Sequence, residues 1–171
     1  NDDFQFTDDR RAGTGWRADA NPQRSFRNPV HCAEVSNDGL IYVCDRQNNR
    51  IQVFTRQGEF IREAFYEPDT LGDGAVWEIA FSADPEQRYM YVADGKNARI
   101  HIIERETLQK IGTLGSGGRY PGQFQAVHSI ATDSQGNIYA TETYEGRRVH
   151  KFVFKGIGQV PVDQGPAWPK R

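Results

Sequence analysis

The chain has 171 residues, a formal net charge of −2, 37% apolar residues and 12% aromatics. That length suffices for one domain with a real core. The near-neutral charge argues against a general nucleic-acid binder, no apolar run approaches the ~20 residues that span a bilayer, and two cysteines are too few for a disulfide framework.

Seventeen glycines and eight prolines point to many turns, as in a β protein with polar hairpins rather than a helical bundle. Asn1 is not an initiator methionine, so the chain is read as processed, truncated or partial, and the missing signal peptide says little about compartment.

Residues 1–27 are polar and irregular and read as an extended connection, with a strand expected around Phe4 and Phe6. A first meander, blade one, spans 28–66. Its strands are expected at 30–35, 40–45, 50–55 and 59–65, and Asn37-Asp38-Gly39 and Gln57-Gly58 turn the chain between them. After a loop, blade two spans 74–114 with strands at 76–82, 88–94, 99–104 and 107–113. Its first hairpin is longer and carries Asp84-Pro85-Glu86. The glycine-rich loop 115–118 leads to blade three, 121–162, with strands at 127–132, 137–142, 148–154 and a fourth at 159–162. The tail 163–171 has no strand pattern.

The three meanders are copies. An acid recurs at Asp45, Asp94 and Glu142 and an arginine at Arg50, Arg99 and Arg148, in steps of 48 or 49 residues. A period of 40–50 residues built from short strands marks a propeller blade. A lone meander has two faces to bury, and radial stacking covers both. The repeated acid and arginine flank a short connection, where a salt bridge or turn hydrogen bond is expected. Three blades do not close a ring of the usual four to eight. Either 1–27 adds strands, or two copies associate, or the chain is part of a larger ring, the favoured reading being six blades with the remainder missing.

Function is sought where the copies disagree. His101 and His150 lie on third strands, away from any channel, and read as structural. His31 and His128 each follow a valine at the start of a first strand, where blade two has Trp77. In a six-bladed ring they would face a central channel at one height, about 120° apart. A third ligand from outside this chain would give the three-ligand, one-open-position geometry of a catalytic zinc. Without it they are channel-lining hydrogen-bonding residues. Arg46, opposite Gly95 and Thr143 in the other copies, is either a loop arginine or a bidentate carboxylate clamp. Trp77 either walls the channel as a binding surface or belongs to the core. Cys32 and Cys44 stand symmetrically about Asp38, either as a cross-strand disulfide or as two buried thiols.

The segment from Asp38-Gly39-Leu40-Ile41-Tyr42 to Arg50-Ile51-Gln52-Val53-Phe54, with its copies at 91–100 and 136–152, resembles the NHL-repeat family of six-bladed β-propellers. Within it, Pro29-Val30-His31 followed by Asp45-Arg46-Gln47-Asn48-Asn49-Arg50-Ile51-Gln52, and later Val127-His128-Ser129-Ile130-Ala131, look like the propeller of peptidyl-α-hydroxyglycine α-amidating lyases. That resemblance implies zinc held by three histidines, two of them His31 and His128, and a catalytic role for Arg46. It favours an extracellular or periplasmic setting. Ala126 stands where that family has a methionine, and the third histidine and the active-site tyrosine belong to blades this chain lacks. The expected function is therefore a binding or scaffold module with a metal-capable channel, set against a zinc-dependent lyase. Expected partners are the missing propeller half or a second copy, and a peptide or protein ligand. Nucleic acid is disfavoured, save for a local patch from Arg46, Arg50, Arg147 and Arg148.

Overall fold

A computed structural model describes residues 25–158. The expected strands at Phe4–Phe6 and 159–162 lie outside the described residues. Within them the chain is all-β, built as three antiparallel meanders. Blade one pairs β1 (Val30–Val35), β2 (Ile41–Asp45), β3 (Arg50–Phe54) and β4 (Phe60–Phe65) in sequence order. Blade two pairs β5 (Glu78–Phe81), β6 (Tyr89–Asp94), β7 (Arg99–Glu104) and β8 (Gln109–Leu114) likewise. A parallel two-residue ladder follows, of β9 (Ser116–Gly117) and β10 (Gln123–Phe124). Blade three is β11 (Val127–Thr132), β12 (Ile138–Glu142) and β13 (Val149–Phe152). Among the described residues no helix is long and apolar enough to cross a membrane.

Some expected strands are shorter or shifted. Val76 and Trp77 precede β5, although the Trp77 N–H already bonds the Ala93 carbonyl at 2.9 Å. Thr107 and Leu108 belong to a turn, with Leu108 at φ 58°, so the fourth strand of blade two starts two residues late. The glycine-rich loop holds the β9–β10 ladder, which no alternation in Gly115-Ser116-Gly117-Gly118 announces. Gly115 is required there: its φ is +83° and any Cβ would strike the Phe124 ring.

Blade two is buried on both sides. Toward blade one, Ile79, Met90, Val92 and Ile103 pack with Tyr42, Ile51, Val53 and Tyr66. Toward blade three, Trp77, Tyr91, Ala93 and Ile100 pack with Phe124, Val127, Ile130 and Ile138. Each fully buried aliphatic of this kind contributes about 1.5–3 kcal/mol through the area it removes from water. Polar latches fix the stacking: Tyr66 Oη donates to the Leu108 carbonyl at 2.9 Å, Thr132 Oγ1 to the Phe81 carbonyl at 2.7 Å, and Arg105 bridges to Asp38 at 2.9 Å.

The acid that ends each second strand is buried and organises the turn after it. Asp45 accepts hydrogen bonds from the Arg27 N–H (3.1 Å), Asn48 Nδ2 (2.8 Å) and Arg50 Nε (2.7 Å). Glu142 accepts from Arg148 Nε (2.9 Å), His150 Nε2 (2.6 Å), and the Gln125 and Ala126 N–H groups. Blade two departs from the expected pair. Asp94 takes His101 Nε2 at 2.9 Å and Asn97, while Arg99 Nε turns to the Asn97 carbonyl. Of the four arginines named for a local patch, two are held by these bonds, Arg50 by Asp45 and Arg148 by Glu142.

Cys32 and Cys44 stand opposite each other in the β1–β2 register and form a disulfide. The bond staples the inner hairpin of blade one, and for a loop of this length it contributes about 2–4 kcal/mol. The Cys32→Ser/Cys44→Ser double variant is expected to lower the urea midpoint by a matching amount, and added reductant is expected to shift the wild type but not the variant.

Candidate functional site

The stacking brings four of the singled-out residues to one rim. Strands one begin there, strands two end there, and the inter-blade loops pass over it. His31 and His128 are each the extra residue of a β-bulge. Val30 pairs with Asp45 and Cys32 with Cys44, leaving His31 unpaired; Val127 pairs with Glu142 and Ser129 with Thr141, leaving His128 unpaired. A bulge re-aims the side chain it carries, and here it turns both imidazoles toward each other, with ring centroids 5.1 Å apart. Nothing in the composition of Val30-His31-Cys32 or Val127-His128-Ser129 encodes the bulge; the shared placement of the two histidines was its only trace.

Trp77 lies beneath. Its ring centroid is 5.9 Å from that of His31 and 5.3 Å from that of His128, and it is 1% exposed. It is therefore the floor of the site and belongs to the core between blades two and three. Its indole N–H donates to the Gly74 carbonyl at 2.7 Å, and its own carbonyl accepts from His31 Nδ1 at 2.5 Å. That bond places the proton of neutral His31 on Nδ1 and leaves Nε2 with a free lone pair. His128 makes no hydrogen bond among the described residues.

Arg46 begins a 3-10 turn, Arg46–Asn48, directly after β2. Its guanidinium lies over the Trp77 ring, 4.9 Å from the centroid, with its side chain 12% exposed. Its one acidic neighbour among the described residues, Asp73, is 3.6 Å away, and its Nε has no hydrogen-bond partner there. Burial pulls the guanidinium below its usual range, against the pull of Asp73 and Tyr144. Burial likewise holds both imidazoles below the usual histidine range. The Arg46 charge adds to this at each, and at His31 the hydrogen bond to Trp77 opposes it.

Several supporting residues carried no signal in the sequence. Gly74, at φ +75°, lies so close to the Arg46 carbonyl that no side chain fits. Asn49, in the left-handed conformation, holds the loop that carries Asp73 and Gly74. Its Nδ2 donates to the Pro68 and Thr70 carbonyls (3.2 and 2.9 Å) and its Oδ1 accepts the Ala75 N–H (2.7 Å). Gly95, the blade-two counterpart of Arg46, leaves the space that Trp77 fills. A Cβ there would come within 2.7 Å of the Val127 carbonyl and 2.8 Å of the indole.

The arrangement can do two things chemically. A half-buried guanidinium with unused donors over an aromatic face takes a carboxylate or similar anion. Two neutral imidazoles in contact, one with its second nitrogen anchored to a carbonyl, supply two donors of a zinc site. Among the described residues no group of three His, Cys, Asp or Glu side chains converges as a metal would require. The donor set here thus fits zinc only in part.

Residues 30–54 match the NHL repeat family model. The fold is similar to the WD40 repeats of RRP9 (TM-score 0.51, 18% identity, covering 73% of this chain and 38% of that one). It is similar also to U3-55K (TM-score 0.50, 18% identity, 73% and 39%) and to hydrazine synthase of Kuenenia stuttgartiensis (TM-score 0.50, 13% identity, 76% and 37%). The chain thus has the β-propeller fold and spans well under half the length of these structures.

Two measurements probe the site. The depressed imidazoles are expected to be neutral at pH 7 and to titrate below 6.5 in NMR spectra; Arg46→Met removes a neighbouring positive charge and is expected to raise both midpoints. Because the folded-state values lie below the unfolded one, the unfolded chain binds protons first, so the histidines' contribution to stability declines as pH falls through 6.5. Separately, Gly95→Ala is expected to cost about 1–3 kcal/mol by overpacking against Trp77 and to shift the tryptophan fluorescence, read in a urea titration.

Proposed function

We propose that this chain is a β-propeller binding module that captures a carboxylate-bearing peptide or protein segment at the Arg46 rim. One observation carries the reading: the Arg46 guanidinium is held between the Trp77 face and the solvent with no hydrogen-bonded acid. An arginine that served only the fold would be used up, as Arg50 is by Asp45 and Glu63 at 2.7 and 3.0 Å. Glycines 74 and 95 and the Asn49 bonds support it by keeping the backbone close around the site.

The probe is acetyl-glycyl-glycine with a free carboxylate, compared with its amide, by heteronuclear NMR. The carboxylate form is expected to perturb Arg46, Trp77 and both histidines, and Arg46→Gln to weaken it about tenfold or more, the scale of a charge-assisted hydrogen bond. Equal binding of the amide, or no loss in the variant, would overturn the reading.

A second reading, a zinc-dependent lyase resembling the amidating-lyase propellers, is favoured by the two bulged histidines in contact. Under it His31 Nε2 and a His128 nitrogen would hold the metal, which would acidify a bound hydroxyl or water, and Arg46 would hold the substrate carboxylate. The third ligand would come from outside the described residues. Metal content of the purified protein at its natural length distinguishes the readings. Stoichiometric zinc lost in the His31→Ala/His128→Ala variant supports the lyase reading; equal content in both proteins sinks it.

A further inference from the structure

A cavity of about 990 Å³ lies on the rim opposite the histidines and Arg46. It runs along the β5–β6 and β7–β8 hairpins of blade two, with Asp38 and Arg62 of blade one on one side and the β11–β12 turn on the other. We propose that this groove binds an extended, basic peptide segment of a partner protein.

Charge complementarity sets the occupant. Five carboxylates line the groove: Asp38, Asp84, Glu86, Glu104 and Glu106. Two are committed: Asp38 to Arg105 at 2.9 Å, and Asp84 to Ser82 and the Arg88 N–H. The Arg105 guanidinium is saturated as well, by Asp38, Tyr42 Oη, and the Glu86 and Gln87 carbonyls. Arg62 spends a donor on the Arg105 carbonyl. What remains is Glu86 and Glu106, exposed and without an ion pair among the described residues, and Glu104, which accepts from Thr107 and has only a loose contact with Arg88 at 3.9 Å. Against these three carboxylates stand two cations of the lining, Arg62 and the 64% exposed Arg88, so the surplus is acidic by one charge.

The walls suit the stems of such cations. Tyr89 and the largely buried Tyr91 line one side, and the chain's own Arg88 already lies over the Tyr89 ring at 5.3 Å, which shows how a basic side chain seats there. Phe154 and Ile157, 48% and 75% exposed, form the other. The methylene stem of a lysine or arginine packs on tyrosine while its charged head reaches a carboxylate. An apolar residue between two such cations would cover Phe154 and Ile157. The volume exceeds what a single side chain needs and lies at the upper end of small-molecule pockets. The carboxylate surplus would repel a phosphate backbone, so a protein segment is chosen over nucleic acid.

The test uses the isotope-labelled protein and three probes: acetyl-Gly-Lys-Leu-Lys-Gly-amide, the matched acetyl-Gly-Glu-Leu-Glu-Gly-amide, and a decauridylate. The lysine peptide is expected to shift resonances in 82–91, 104–106 and 134–136 and to leave those of His31 and His128 in place. Glu86→Gln/Glu106→Gln, both exposed and expected to leave the circular dichroism unchanged, is expected to weaken it about fivefold, the sum of two exposed ion pairs. Equal binding of the acidic peptide, indifference to the double variant, or absence of shifts at millimolar peptide overturns the proposal. So does decauridylate binding at the same resonances, which would assign the groove to nucleic acid. Concentration-dependent self-association abolished by the double variant would assign it to a second copy and overturn it too.

Discussion

Everything at the histidine rim depends on a buried carboxylate at the end of each second strand. Asp45, Asp94 and Glu142 are withdrawn from water, and each is stable there because three or more donors converge on it. Burying a charge costs several kcal/mol when it is unpaired, so the donors are obligatory and the turns that supply them adopt one shape. That shape places the residue after Asp45 over Trp77. It also fixes where strand three starts, and so the register of the sheet. The same device recurs with different chemistry: arginine in blade one, histidine in blade two, both in blade three.

The repeat was legible because strand alternation, turn glycines and the acid each recur near 49 residues. The sequence therefore yielded the blades and most strand limits, and it brought Arg46, His31, His128 and Trp77 to notice as departures from the copies. What it could not show were interactions without a local pattern. Asp94 pairs with His101 while Arg99 turns to the Asn97 carbonyl; the two basic residues are two apart on one strand and share a face, so alternation does not choose between them. Trp77 reads equally well as wall or core until the space beside Gly95 is known. The loop carrying Asp73 and Gly74 is set by Asn49, more than twenty residues earlier. Whether Cys32 and Cys44 join depended on register, which the symmetric spacing about Asp38 allowed and the β1–β2 pairing supplies.

The two rims differ in how their charges are used. At the histidine rim Arg46 is underused while the acids that end the second strands are spent. At the opposite rim Arg105 is saturated and the acids are in surplus. Both imbalances follow from the latches that hold the blades together. Asp38 and Arg105 join blades one and two, and the acid–base pairs of the second-strand ends close the turns.

The bulges have a consequence for what a substitution at this rim gives up. Because Val30 and Val127 already pair with Asp45 and Glu142, the residue that follows each valine stands outside the ladder. Its identity places no demand on strand pairing. At those two positions the chemistry of the rim is therefore separable from the pairing of the sheet, and what a substitution there gives up is the packing on Trp77 and, at 31, the bond to its carbonyl.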